Sequence, residues 1–291
     1  MTRTTRTTTG TGTRARGRTT TTRFDRDTAL VAAGDGVFRG RIDPGWWIER
    51  GPNGGYVAAI ILRGLTMAVG DDGRTPRSLT IHYLAPPVEG PVEMVTTIER
   101  SGRSLTYVSG RLVQEGRLVG LAVGAFAVPL SSSIEFQHVS MPADVRGPDD
   151  LSPPPPPFGG RVIPLRERYE TRQTIGGLPF SGAEEAASGG WIRLAEARPV
   201  DHLLMAALTD AWMPPIFTKV TMEKPIGVPT IDLTIHFRAP LPVEGLADDA
   251  WMFALFRTRV AAEGFIEEDG EIWAPDGRLL AQSRQLALLM A

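Results

Sequence analysis

The sequence predicts an α+β protein in which one domain occurs twice in tandem. Residues 79–90 read LTIHYLAPPVEG and residues 233–245 read LTIHFRAPLPVEG, so the two segments agree almost letter for letter apart from one inserted residue. A second pair follows in the same order, EGRLVGLAVGAFA at 115–127 and DGRLLAQSRQLAL at 276–288. Two repeats in one order indicate a duplicated domain, in which only one copy needs to keep the chemistry.

Length and composition agree with two globular domains. The 291 residues suffice for two domains of typical size, and 42% hydrophobic with 22% charged residues is ordinary for a globular protein. The net charge of −2 gives no long-range attraction to nucleic acid, and no apolar run approaches the roughly 18 residues of a membrane helix. The absence of cysteine excludes disulfides and thiolate chemistry. We expect no nucleic-acid partner, no membrane insertion and a cytoplasmic location.

Two segments of unusual composition divide the chain. Residues 1–23 consist almost only of Thr, Arg and Gly, and they are predicted to be a disordered tail because they cannot bury apolar surface. Residues 147–160 contain five consecutive prolines and are predicted to be a stiff linker. The predicted domains are therefore residues 24–146 and 161–291.

The first arm has the pattern of a buried helix followed by antiparallel strands. A strand is predicted within 38–47, with a turn at 43–45. After the segment GPNGG at 51–55, the stretch YVAAIILRGLTMAV is apolar nearly all round, which is typical of a central buried helix. Strands are predicted at 78–84, 92–100, 105–114 and 118–128, the last two joined by a hairpin turn.

The second arm repeats this order. A helix is predicted over 199–212, opened by Pro199 and by Asp201, whose charge suits the helix dipole. Strands are predicted at 170–175, 190–195, 230–238, 250–261, 264–273 and 279–290. A long helix wrapped by a curved antiparallel sheet is the hotdog fold, so the sequence predicts a double hotdog.

The chain resembles the acyl-CoA thioesterase II family and its shorter actinobacterial-type relatives, over residues 30–290. The resemblance is carried by Gly54-Gly55 before the first helix and by SGRS at 101–104, LTDAW at 208–212, PTID at 229–232 and the closing strand at 280–286. It implies an enzyme that hydrolyses an acyl-CoA to the free acid and coenzyme A.

The resemblance also implies the residues that hold the nucleophilic water. The family uses an aspartate, a threonine or serine, and a glutamine, which correspond here to Asp210, Thr230 and Gln285, with Gln282 as the register alternative. A carboxylate can accept a proton from attacking water, and two hydrogen-bonding side chains can fix the direction of that water.

The developing oxyanion needs hydrogen-bond donors, which the start of a helix supplies. Gly54 and Gly55 leave room for close approach to the backbone where the first helix begins, so the amides of Gly55 and Tyr56 are the predicted donors. The amino-terminal end of the second helix is the alternative, although Pro199 lacks one donor there.

Each of these residues also has a structural interpretation. Asp210 would suit a helix cap or a structural hydrogen bond, and Thr230 starts a strand, where threonine is common. Gln285 is compatible with the polar outer face of a strand. The glycines at 54 and 55 would suit a tight turn.

Other enzyme classes lack their motifs. The sequence has no HExxH, no GxSxG, no Walker motif and no intact GxGxxG after a strand. His82 and His236 occupy equivalent places in the repeat, which favours an inherited structural role. A hotdog dehydratase would need a paired Asp and His near the helix start, where Asn53 and Tyr56 stand instead. No metal or cofactor is expected, because an oriented water needs none.

Two further questions stay open at this point. The main alternative function is a catalytically silent protein that binds acyl thioesters. The acyl carrier is either coenzyme A or an acyl carrier protein, with Arg103, Arg111 and Arg238 as candidate phosphate contacts. Double hotdogs can pair through their sheets, so a homo-oligomer formed through the sheet faces is also compatible with the sequence.

Overall fold

The structure is a computed structural model that describes residues 21–48, 51–155, 162–221 and 227–290. Its centre is one antiparallel sheet of 13 strands to which both halves of the chain contribute. The strands are β1 Val31–Gly34, β2 Val37–Ile42, β3 Thr75–Tyr83, β4 Gly90–Ser101, β5 Leu105–Gln114, β6 Arg117–Ala127, β7 Tyr169–Ile175, β8 Ala186–Leu194, β9 Thr230–Phe237, β10 Met252–Thr258, β11 Ala261–Ala262, β12 Phe265–Trp273 and β13 Leu279–Leu288.

Within the described residues, four α-helices accompany this sheet, and the longest lies in the first half. Short 3-10 helices occupy Pro44–Trp46, Pro148–Asp150 and Pro164–Glu167. The α-helices are α1 Arg23–Asp27, α2 Gly54–Val69, α3 His202–Leu208 and α4 Ile216–Lys219.

The strand order is the same from either edge of the sheet. It runs β1-β2-β4-β5-β6-β3 and then β9-β13-β12-β10-β8-β7, with β11 paired only to β12. The two halves meet where β3 pairs with β9, and there Leu79 faces Ile235 while Thr80 faces Thr234. The two copies of the repeated segment therefore lie against each other, and the predicted double hotdog is confirmed.

Helix α2 is the central helix of the first half. Its N-cap is Asn53, whose side chain accepts from the Tyr56 amide, and its C-cap is Gly70, which has the left-handed conformation at φ 60° that glycine tolerates best. It packs against α3, β4 and β5, and for that reason apolar residues occupy nearly every side of it.

The second central helix is shorter than predicted. The sequence predicts 199–212, whereas α3 covers only His202–Leu208. Its N-cap is Asp201, whose side chain accepts from the Leu204 amide, and its C-cap is Thr209. Asp210 consequently lies in the turn after the helix and not within it.

The other differences from prediction lie at the edges of the fold. Strand β2 ends at Ile42, because Asp43 caps the 3-10 helix that follows. Helices α1 and α4 and strands β1 and β11 are additional elements. Thr22, assigned above to the disordered tail, is buried and caps α1, so that assignment is wrong for Thr22 and Arg23. Residues 1–20 of the predicted tail and 156–160 of the predicted linker lie outside the described residues.

Candidate active site

The start of α2 faces the end of α3, and Asp210 lies between them. Its Oδ2 accepts from the Gly55 amide at 3.0 Å and from Asn53 Nδ2 at 3.0 Å, while its carbonyl oxygen accepts from the same Nδ2 at 2.6 Å. These bonds join a carboxylate of the second half to the first helix of the first half. The site therefore belongs to both copies of the domain.

The sequence around the start of α2 permits this close approach. Asn53 uses Oδ1 to accept from the Tyr56 amide at 3.0 Å, which leaves its Nδ2 for Asp210. A methyl group on Gly54 would lie 2.8 Å from Asp210 Oδ2, and one on Gly55 would overlap the Ala207 carbonyl. The packing of α2 against the second half thus requires Gly55, whereas Gly54 leaves room for the Asp210 carboxylate.

Strands β9 and β13 bring the other two predicted residues to Asp210. Gln285 Nε2 donates to Asp210 Oδ1 at 3.0 Å, and Gln285 Oε1 accepts from Thr230 Oγ1 at 2.9 Å. Gln282 stands opposite His236 and Glu271 in the sheet, three residues away from Gln285, so its side chain points to the other face. The structure thus brings Asp210, Thr230 and Gln285 together and places Gln282 elsewhere.

The predicted oxyanion donors are already engaged within the protein. The Gly55 amide donates to Asp210 and the Tyr56 amide donates to Asn53, so neither N–H is free to polarise a substrate carbonyl as predicted. The side chain of Tyr56 is structural, because its hydroxyl donates to the Asp27 carbonyl at 2.7 Å. The alternative, the amino-terminal end of α3, is capped by its own Asp201 at the end of the helix away from Asp210.

A second carboxyl group, which sequence reasoning missed, lies in the same cluster. Gln285 Nε2 also donates to Glu268 Oε1 at 3.0 Å, because Glu268 stands directly opposite Gln285 where β12 pairs with β13. Glu268 is buried and shares its strand parity with Ile266 and Ile272. This strand parity could have identified Glu268 from the sequence, because it places an acidic residue at an inward-facing position. The other polar residues of β12 make the alternation hard to recognise.

Burial raises the pKa of the Asp210 carboxyl above its usual value. This effect outweighs the hydrogen bonds from Gln285, Gly55, Gly54 and Asn53, each of which lowers that pKa. Asp210 is therefore a stronger base than an exposed aspartate once it is ionised.

Burial likewise raises the pKa of the Glu268 carboxyl well above its usual value. The negative charges of Asp210, Glu267 and Asp269 raise it further, and only the hydrogen bond from Gln285 lowers it. The two carboxyl groups that share the Gln285 amide thus disfavour each other's ionisation.

The same place in the first copy holds no such cluster. Glu268 pairs with Gln285 in the second copy, and the equivalent pair in the first copy is Val108 with Gly124. The alignment of the two repeat segments makes Pro76 the equivalent of Thr230. A methyl group on Gly124 would lie 3.1 Å from a methyl carbon of Leu65, so the longer helix α2 fills this space. Apolar side chains fill this space in the first copy, whereas polar side chains occupy it in the second copy.

The remaining candidates lie on the surface. His82 and His236 are exposed on the sheet, as are Arg103, Arg111 and Arg238 on three different segments. Within the residues that the structure describes, no group of three or more His, Asp or Glu side chains is arranged to hold a metal. The helices of the described ranges are all too short or too polar to cross a membrane.

Similar proteins agree with this architecture. A protein of Mycobacterium tuberculosis strain H37Rv, itself uncharacterised, is 25% identical over 282 residues, which cover 88% of this chain and 91% of that protein. The crystal structure of a conserved protein of unknown function with a hot dog fold, from Alicyclobacillus acidocaldarius, has a TM-score of 0.84 and 28% identity, over 94% of this chain and 99% of that one.

A third comparison, at lower identity, shows the fold alone. The acyl-CoA thioesterase II TesB2 of Mycobacterium marinum has a TM-score of 0.72 and 21% identity, over 91% of this chain and 97% of that one. The match to family models identifies the family as well as the fold. Residues 43–128 match the acyl-CoA thioesterase N-terminal domain and residues 148–289 match the acyl-CoA thioesterase C-terminal domain. The chain therefore belongs to the acyl-CoA thioesterase family and is a thioester hydrolase.

Proposed function

We propose that this chain hydrolyses an acyl-CoA to the free acid and coenzyme A, using a water molecule that Asp210 activates. The observation that carries the proposal is the row of hydrogen bonds from Thr230 through Gln285 to Asp210, beside the start of α2. The family supplies the substrate class, and the row supplies a base with two groups that can orient a water molecule.

The chemistry follows from the atoms in this row. Among the described residues, Asp210 Oδ1 accepts only the Gln285 hydrogen bond, so it keeps a lone pair for a water proton. As the water oxygen attacks the thioester carbon, Asp210 takes one proton, and the carbonyl becomes a tetrahedral oxyanion. The carbon–sulfur bond then breaks, and the proton passes from Asp210 to the leaving thiolate.

The start of α2 contributes to the reaction by binding Asp210 and not by binding the substrate oxyanion. Its Gly55 amide holds the Asp210 carboxylate, so the positive end of the helix helps to keep that base ionised. Coenzyme A as the carrier is part of this proposal. The cytoplasmic location, the pairing of chains through sheet faces and the domain boundaries other than the end of the tail stay predictions.

The test measures thiol release from a panel of short- to long-chain acyl-CoAs, with wild type and Asp210→Asn compared. The substitution removes the base with little change of shape, so turnover is expected to fall by about 10²-fold or more. Asp72→Asn, a change in the exposed loop after α2, serves as the matched control and should keep full activity. Circular dichroism checks that all three proteins are folded.

The possible results test the role of Asp210 as the base and the identity of the acyl carrier independently. Turnover by Asp210→Asn at the wild-type rate would exclude Asp210 as the base while leaving the hydrolase in place. A folded wild type that releases no thiol from any acyl-CoA would contradict coenzyme A as the carrier. Thr230→Val should reduce turnover by a smaller factor than Asp210→Asn, because it loosens the row without removing the base.

A further inference from the structure

The buried Glu268 carboxyl touches the proposed water-holding row, yet the hydrolysis described above gives it no task. Its Oε1 lies 3.0 Å from Gln285 Nε2, and Gln285 in turn contacts Asp210 and Thr230. A carboxyl group with 8% of its surface exposed is expensive to bury unless it is neutral or paired. Its position therefore calls for a physical explanation.

The Gln285 amide has only one orientation that satisfies its neighbours. Its Nε2 donates both N–H groups, one to Asp210 and one to Glu268, and its Oε1 accepts from the Thr230 hydroxyl. Turning the amide by half a revolution would place Oε1 against the ionised Asp210 carboxylate, which has no proton to donate, and would lose the bond from Gln285 to Asp210. Glu268 holds one of the two N–H groups and so resists this rotation.

The surroundings of Glu268 favour its neutral form. The end of α3 contributes Asp210, and its own strand contributes Glu267 and Asp269, all of them acidic. Strand β13 contributes Gln285, which does not titrate. Within the described ranges no Lys, Arg or His lies at salt-bridge distance from Glu268, whereas Asp269 is paired with two arginines. A neutral carboxyl can still accept through its carbonyl oxygen.

We propose that Glu268 is a positioning residue that keeps the Gln285 amide turned toward Asp210, and that an uncharged acceptor at this position is sufficient. This inference rests on the proposed roles of Asp210 and Gln285. It adds a fourth side chain to the row and assigns it no contact with substrate.

The role has a consequence for the pH dependence of the reaction. The Gln285 hydrogen bond lowers the pKa of Asp210, opposing the effect of burial. When Glu268 no longer holds the amide, that bond is lost for part of the time and the Asp210 pKa rises. The acid limb of kcat/KM, which reports the ionisation of the base in the free enzyme, should then move to higher pH.

The experiment compares Glu268→Gln with Glu268→Met in the full chain. The Gln variant keeps an uncharged acceptor, so its kcat should stay within about threefold of wild type and its acid limb should not move. The Met variant keeps a similar length without an acceptor, so its kcat should fall by about ten- to a hundredfold with little change in KM, and its acid limb should move to higher pH. Glu271→Gln, on the other face of the same strand, is the control and should leave both quantities unchanged.

Several results would overturn the inference. Wild-type turnover and an unmoved acid limb in the Met variant would do so, and so would loss of turnover in both folded variants. If the Met variant does not fold, the Gln variant still decides, because a tenfold loss there contradicts an uncharged acceptor and retention supports it. Failure of Asp210→Asn to reduce turnover would instead refute the proposed function, which keeps the two failures apart.

Discussion

The hydroxyls of Thr80 and Thr234 lie 3.1 Å apart at the seam between β3 and β9. These two residues are equivalent in the repeat and pair directly across the seam. An approximate twofold axis therefore passes between them, and the two halves share backbone hydrogen bonds there. We expect the described core to unfold as one cooperative unit.

The first prediction concerns this hydroxyl pair. Thr80→Val and Thr234→Val each keep the β-branched shape but remove one partner, so each should lower the free energy of unfolding by about 1 kcal/mol. The double variant should lose less than the sum of the two, by about 0.5 kcal/mol or more, because the partners share one bond. Urea denaturation measures these values, with Thr97→Val, exposed on β4, as the control. Strict additivity would show that the bond contributes nothing.

The second prediction separates two neighbouring glycines. Gly54→Ala places a methyl group against the Asp210 carboxylate, so it should reduce turnover strongly and stability little. Gly55→Ala places a methyl group against the Ala207 backbone, so it should lower the free energy of unfolding by about 1–3 kcal/mol. Thermal denaturation and thiol release, measured on both variants, test this division. Equal effects of the two changes on stability would contradict it.

The third prediction is a pH profile. Burial raises the pKa of Asp210, and the base must be ionised to accept a proton. Activity should therefore fall on acidification at a higher pH than the usual aspartate value of 3.8 would give. The check is kcat/KM for one acyl-CoA against pH, with circular dichroism at each pH to exclude unfolding. An acid limb at or below 3.8 would show that Asp210 is not the titrating base.

The fourth prediction concerns the buried Arg198. It donates to Asp25 at 3.0 Å and to Asp201 at 2.6 Å, and so ties α1 to the start of α3. Arg198→Leu removes the partner of Asp201 and leaves Asp25 only the longer contact with Arg63, at 3.8 Å. Because those carboxylates are partly exposed, we expect a loss of about 2–4 kcal/mol in the free energy of unfolding at neutral pH, below the full value for a buried pair.

That loss should depend on pH in a defined direction. Burial acts to raise the pKa of Asp25, but the Thr22 hydrogen bond and the Arg198 charge outweigh it, and the pKa is lowered. The stabilisation is therefore complete above the unfolded value of 3.8 and disappears as the pH falls through the lower folded value. The difference between wild type and Arg198→Leu should shrink below that pH in urea titrations. A difference that grows on acidification would contradict the assignment.

Most of the fold could be predicted because the repeated segments and the apolar patterns can be read directly from the sequence. Strands β2 to β6 of the first half and six strands of the second half were predicted, whereas β1, whose four residues are all exposed, and the two-residue β11 were not. The length of α3 could not be predicted, because the apolar run up to Trp212 does not show that the chain turns after Leu208. That turn depends on Asp210 reaching α2, which is a tertiary contact.

The grouping of the three site residues was predicted from the family resemblance, and their catalytic roles stay a prediction. Asp210, Thr230 and Gln285 follow from the family pattern, and the structure brings them together. The engagement of the Gly55 amide by Asp210 could not be predicted, because the two residues are far apart in sequence and meet only where the two halves pack. Glu268 was missed although its strand parity was available.

The apolar side chains that fill the equivalent space in the first copy limit how the sequence of this chain can evolve. Restoring chemistry there would require polar residues at Pro76, Val108 and Gly124, and also a shorter α2 to withdraw Leu65. Each of these substitutions would disturb a packed core. The difference between the two halves is therefore hard to reverse, and the proposed reaction centre stays confined to the second half, supported by a first half that supplies packing and the start of α2.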